Sequence, residues 1–161
     1  AADKTLSQKY LSCGQILAEG VPEIIDSLAA VKKYVFEEKH FTLSELRDAL
    51  AANFEDFDAV YQTLLRSNLH FGNDDPYVDS IAADIINDYN RYLRTIKTVR
   101  GGVYSGGCSP FVRAADNGGA VGALPNGKRA DEDLYGDSIG ATPGRDTNGP
   151  TALLSSCLNI D

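Results

Sequence analysis

A chain of 161 residues can bury a core of its own, and 43% hydrophobic with 24% charged residues is the composition of a soluble globular protein. The formal charge of −8 argues against nucleic acid and anionic membranes as partners, since both select clustered Lys and Arg. No apolar run approaches the roughly 20 residues that span a bilayer, and the opening Ala-Ala-Asp-Lys-Thr has neither signal-peptide shape nor initiator methionine, as expected of a trimmed or internal start in a cytoplasmic protein.

Pro22 opens the first predicted helix, with Ile24, Leu28, Val31 and Val35 as its apolar stripe and Lys32, Lys33 and Glu37 on the other face. His40-Phe41 ends it. Thr42-Leu-Ser-Glu45 has the form of a capping box, followed by a short helix that buries Leu46, Ala49 and Leu50. A third helix is expected from about Phe57 to Ser67, burying Val60, Tyr61 and Leu64. Asn73-Asp-Asp-Pro76 is a strong start signal, and the outer-layer helix it opens carries Val78, Ile81, Ala82, Ile85 and Tyr89 toward Ile96.

The pattern changes beyond Arg100: twelve of the fifteen glycines lie between Gly101 and Gly149. Residues 101–112 predict one strand, with Val103, Ser105, Gly107, Ser109 and Phe111 on one face and Pro110 making it an edge or irregular strand. From Ala114 to Pro150 little regular periodicity remains. A loop of that length is usually functional or supported by a larger structure. The chain thus divides into a helical part, 1–98, and a strand-and-loop part, 99–161.

The tempting motifs fail on their chemistry. Gly122 to Arg129 resembles a phosphate loop, but Arg129 stands where a hydroxyl must meet Mg²⁺ and no helix follows; Asn126-Gly127 reads as a tight turn instead. Asp74 and Asp75 are explained by helix capping, and Asp131-Glu-Asp133 by a solvated loop. Cys13, Cys108 and Cys157 are widely spaced, and His40 and His70 are the only histidines, so no metal site is expected and the thiols read as reduced and buried.

Four blocks in order carry a resemblance. They are Asp26-Ser-Leu-Ala-Ala-Val-Lys-Lys33 with Val35 to Lys39; Phe71-Gly-Asn-Asp-Asp-Pro-Tyr-Val-Asp-Ser-Ile-Ala82; Gly101-Gly102 through Val121-Gly-Ala-Leu-Pro-Asn-Gly-Lys-Arg-Ala130; and Gly144-Arg-Asp146 with Gly149-Pro-Thr-Ala152 and Ser155-Ser156. In this order they resemble the C-terminal half of glycyl radical enzymes of the pyruvate formate-lyase kind. The resemblance implies an α/β fold: part of a ten-stranded α/β barrel with helices outside and a buried active site, both parts of the chain belonging to that one larger domain.

It also implies a lyase of anaerobic metabolism, in which a stored glycyl radical generates a cysteine thiyl radical that abstracts hydrogen from the substrate. The family's "RVSGY"-like glycine segment is not in this sequence, and none of the three cysteines begins its "CVE" block, so neither radical residue is carried over. No catalytic residue, bound cofactor or metal is assigned, and the isolated chain is expected to be inactive. The implied partners are the remaining segments or chains of the enzyme, a radical S-adenosylmethionine activase with an iron–sulfur cluster that installs the radical, and a small-molecule substrate. The full enzyme is expected to be a homo-oligomer that binds neither nucleic acid nor membrane.

Pocket-lining positions follow from the family pattern: Val21 to Ile25, and Ser105 to Arg113. Candidates are Glu23, Ser109, Phe111 and Arg113. Glu23 tilts the reading toward a decarboxylase of hydroxylated arylacetates, against dehydration, C–N or C–S cleavage and fumarate addition. Opposed to all of these stand a non-catalytic interaction module derived from the family and an unrelated small α/β domain.

Overall fold

The computed structural model describes residues 14–99, 101–108, 113–134 and 139–160, so the expectations placed on Cys13, Ser109, Pro110 and Phe111 lie outside the described residues. The fold is α/β. Its first element was not foreseen: before any helix, Gly14–Ala18 forms strand β1. Helix α1 then runs Val21–Ala30, with Pro22 in its first turn. It widens into a π-helical stretch, Val31–Glu37, in which the Glu38 N–H donates to the carbonyl of Lys33, five residues back, at 2.8 Å.

The expected inner stripe of α1 is displaced by one residue. Ile24 and Leu28 are 50% and 43% exposed, while Val21, Ile25 and Ala29 are buried. The sequence holds two adjacent apolar stripes, and the packing selects the one with small residues. Ala29 joins Ala82 of helix α4 (Pro76–Leu93) in a core shared with Leu69, Phe71, Val78 and Ile86, and small side chains let helices approach closely.

Helix α2, Leu43–Ala51, has the capping box read from the sequence: Glu45 N–H donates to Thr42 Oγ1 at 3.1 Å, and Thr42 N–H donates to Glu45 Oε2 at 2.7 Å. Thr42→Ala should cost about 1 kcal/mol, read as a lower urea midpoint at unchanged slope. Helix α3, Asp58–Leu65, is shorter than expected at both ends. It joins α2 in a second core built on Leu46, Ala49, Phe54, Val60 and Leu64, with Tyr61 half-buried at its edge. Asp75 caps α4, accepting from the Tyr77 N–H at 2.9 Å, and α4 ends at Leu93, short of Ile96.

Strand β2 is Tyr104–Cys108, the centre of the longer run expected, and it pairs parallel with β1. One helix breaks the stretch that reads as loop and a second follows it. Ala114–Ala120, α5, has no apolar stripe to betray it. It is held by tertiary contacts, with Gly118 lying flush against residues 132–133 and the Leu134 N–H donating to the Ala114 carbonyl at 2.9 Å. Pro150–Leu158, α6, begins directly after Gly149. The Asn126-Gly127 turn is present: the Gly127 N–H donates to the Leu124 carbonyl at 3.0 Å, and Gly127 takes φ +89°. Asp131, Glu132 and Asp133 are exposed.

The second and fourth sequence blocks are tied together at Asn73. Its amide Nδ2 donates to the carbonyls of His70 (3.1 Å) and Arg145 (2.8 Å), while its Oδ1 accepts from the Asn148 N–H at 3.0 Å. The Asp74 N–H donates to Ser156 Oγ, and Asn159 Nδ2 donates to Asp79 Oδ2, docking α6 against the first turn of α4. Burial pushes the Asp79 carboxyl up, and the hydrogen bonds from Ser156 and Asn159 partly offset this.

Candidate functional site

In β1 and β2 the register pairs Ile16 with Gly106 and Ala18 with Cys108. Side chains alternate across a strand. Ala18 and Cys108 therefore share the face that packs against α1 and α4, while Gly107 faces Gln15 and Leu17 on the opposite side. At the C-terminal ends of both strands lies a cavity of about 420 Å³, the place where parallel α/β sheets usually hold ligands.

Its walls come from the β1–α1 junction (Gly20, Val21), Ile24, Ile85 and Tyr89 of α4, and Gly107 and Cys108. They are mostly apolar. Glu19 and Asn90 add polar groups, and the Glu19 carboxylate accepts from Asn117 Nδ2 at 3.4 Å. Burial pushes the Cys108 thiol up. Cys108 and Cys157 are half-buried free thiols, more accessible than the sequence suggested.

The two stretches expected to approach substrate thus meet: Val21 and Ile24 from the first, Gly107 and Cys108 from the second. Of the individual candidates, the described Glu23 and Arg113 lie elsewhere. Glu23 is buried at 3% exposure and turns to a second, polar cavity of about 490 Å³ that it lines with Tyr61, Asn126, Lys128 and Arg145. There Lys128 Nζ donates to the Arg129 carbonyl at 2.9 Å, and the Arg129 guanidinium lies 4.3 Å over the Tyr61 ring. Arg113 is exposed at the start of α5, 3.9 Å from Asp116. Among the described residues no cluster of His, Cys, Asp or Glu is arranged to hold a metal, and no helix is long and apolar enough to cross a membrane.

The fold also buries a pair the sequence did not reveal. Asp26, 1% exposed, places Oδ2 2.9 Å from His70 Nδ1, and its Oδ1 accepts from the Phe71 N–H at 2.8 Å. His70 Nε2 lies 2.9 Å from the Ser67 carbonyl. A buried carboxylate must find donors. An aspartate enclosed by Ile25, Ala29 and Ala30 on one helix was the signal that it has them.

The pyruvate formate lyase-like family model matches residues 4–114. The chain belongs to this family of glycyl radical enzymes. Isethionate sulfite-lyase of Nitratidesulfovibrio vulgaris is 41% identical over 140 residues, 87% of this chain and 17% of that protein. Trans-4-hydroxy-L-proline dehydratase of Clostridioides difficile is 37% identical over 142 residues, 88% of this chain and 18% of that protein. A solved structure of hydroxyproline dehydratase from Clostridioides difficile superposes with a TM-score of 0.86 at 36% identity, covering 92% of this chain and 19% of that one. Indoleacetate decarboxylase of Tractidigestivibacter scatoligenes is 28% identical over 178 residues, 97% of this chain and 20% of that protein. The chain thus spans about a fifth or less of these glycyl radical family relatives.

Proposed function

We propose that this chain supplies two neighbouring strands and their outer helices to the ten-stranded barrel of a glycyl radical lyase, and that the parent enzyme breaks a carbon–heteroatom bond, as a dehydratase or C–S lyase does. The observation that carries the reading is the cavity at the ends of β1 and β2, walled jointly by the two stretches that the family pattern directs to substrate. A parallel pair with one face packed on helices and the other bearing Gln15 and Leu17 is what a barrel wall requires. Two strands alone are marginal, so the rest of the sheet comes from the remaining polypeptide, and the isolated chain is inactive.

Glu23 faces the polar cavity rather than this one, which removes its specific support for arylacetate decarboxylation. The relatives named as sulfite-lyase and dehydratase are 41% and 37% identical, against 28% for the decarboxylase. Together these favour carbon–heteroatom cleavage. Glu23 keeps a supporting role at the wall of the polar cavity, and Ser109 and Phe111 stay proposed as pocket-lining positions on the family pattern alone. The radical comes from a glycine elsewhere in the parent, installed by a radical S-adenosylmethionine activase, and a cysteine elsewhere in the parent abstracts the substrate hydrogen.

The test is anaerobic expression of the complete parent polypeptide with its activase. An organic-radical signal should accumulate by electron paramagnetic resonance. Offered isethionate, trans-4-hydroxy-L-proline and small diols beside arylacetates, the enzyme should eliminate sulfite or water. Release of carbon dioxide from an arylacetate alone would overturn the carbon–heteroatom reading.

A further inference from the structure

Resting on that reading of the cavity, we infer that Tyr89 and Asn90 are positioning residues, which fix from α4 the one ladder rung on which the cavity wall is built. The Tyr89 hydroxyl donates to the Ile16 carbonyl of β1 at 2.9 Å, and the Gly106 N–H of β2 donates to Asn90 Oδ1 at 3.1 Å. Ile16 and Gly106 are register partners. Two consecutive residues on one helix turn therefore take hold of the same rung, one strand each. Two residues further along each strand stand Ala18 and Cys108, which wall the cavity that Tyr89 and Asn90 also line.

Gly106 shows how close this approach is. A Cβ there would come within 2.6 Å of both Tyr89 Cε1 and Asn90 Oδ1, nearer than any real side chain tolerates, so only glycine lets α4 reach the backbone. Both groups bonded are main-chain groups of the strands themselves, so α4 is tied directly to the backbone that carries the wall. The helix thus holds both strands at this rung from the face of the sheet and sets the height of the wall above it. Misplacing a reacting group by about 1 Å can cost on the order of 100-fold in rate, so the clamp should appear in turnover more than in substrate affinity.

The test uses the complete parent enzyme, activated anaerobically, carrying Tyr89→Phe, Asn90→Ala or both. Tyr89→Phe keeps the ring that walls the cavity and removes only the hydroxyl. Each variant should hold its radical content and thermal midpoint while kcat falls about 10-fold and KM moves by less than about twofold. Asn90→Asp, which keeps an oxygen acceptor for the Gly106 N–H, should recover most of the loss. Because both residues hold one rung, the double variant should be no worse than about the larger single loss. If Asn90→Ala does not fold, Tyr89→Phe decides alone. Unchanged kcat, or a loss matched by equal losses of radical and thermal midpoint, overturns the inference while leaving the lyase reading intact. A wild-type parent that never accumulates radical overturns the lyase reading, and the inference with it.

Discussion

Asp26→Ala should cost the protein about 3–5 kcal/mol, the range for breaking a buried pair by removing one partner. The carboxylate is 1% exposed and serves two donors, His70 Nδ1 and the Phe71 N–H, at 2.9 and 2.8 Å. His70, itself 5% exposed, would lose its partner in a place water does not reach, and so would a main-chain amide. His70→Ala alone leaves Asp26 holding the Phe71 N–H and should cost less. Because the two side chains share one interaction, the double variant should be milder than the two single losses taken together by about 1–3 kcal/mol. Urea unfolding of all four proteins measures this. Independent effects, agreeing with additivity to within about 0.5 kcal/mol, would show that the pair does not act as a unit.

The pair also explains why two of the sequence blocks occur together. Asp26 belongs to the first block and Phe71 opens the second, and the hydrogen bonds between them dock α1 against the segment that leads into α4. Phe71 is 1% exposed in the core that α1 and α4 share. What appears in the sequence as two separate motifs is one joint in the fold.

Local chemistry was the legible part. The Thr42–Glu45 capping box, the Asp75 cap with Pro76 behind it, and the Asn126-Gly127 turn are each decided within four or five residues, and each is present. Elements decided at a distance were not legible. Strand β1 exists because β2, ninety residues later, pairs with it. Helix α5 contains two glycines and no stripe, and its place is set by the chain folding back at Leu134. Helix α6 did carry a signal, since Pro150 after Gly149 repeats the proline-first pattern of α1 and α4. At the site, the two segments forming the cavity were readable from the resemblance. Which way Glu23 turns was not, because a one-residue rotation of α1 decides whether a position faces one cavity or the other.

Glycine at position 72 gives the sharpest test of the joint between the second and fourth blocks. Gly72 takes φ +96°, and a Cβ there would lie 2.9 Å from both the Ala141 Cβ and Leu153 Cδ1 of α6. Gly72→Ala therefore combines left-handed strain with overpacking against two elements, for a loss of about 2–5 kcal/mol. Gly144 separates the two causes. It has φ +76° with nothing within 4 Å of its would-be Cβ, so Gly144→Ala should cost only the backbone strain, about 1–2 kcal/mol. The excess at Gly72 should be local to the joint. Backbone amides of α6 should lose hydrogen-exchange protection, since the bonds that dock this helix leave from Asp74 and Asp79 just beyond the substituted position. Those of α2 and α3, packed in the other core, should keep theirs. Equal costs at the two glycines would mean that the close packing around Gly72 contributes nothing, and that α6 is held by its hydrogen bonds alone.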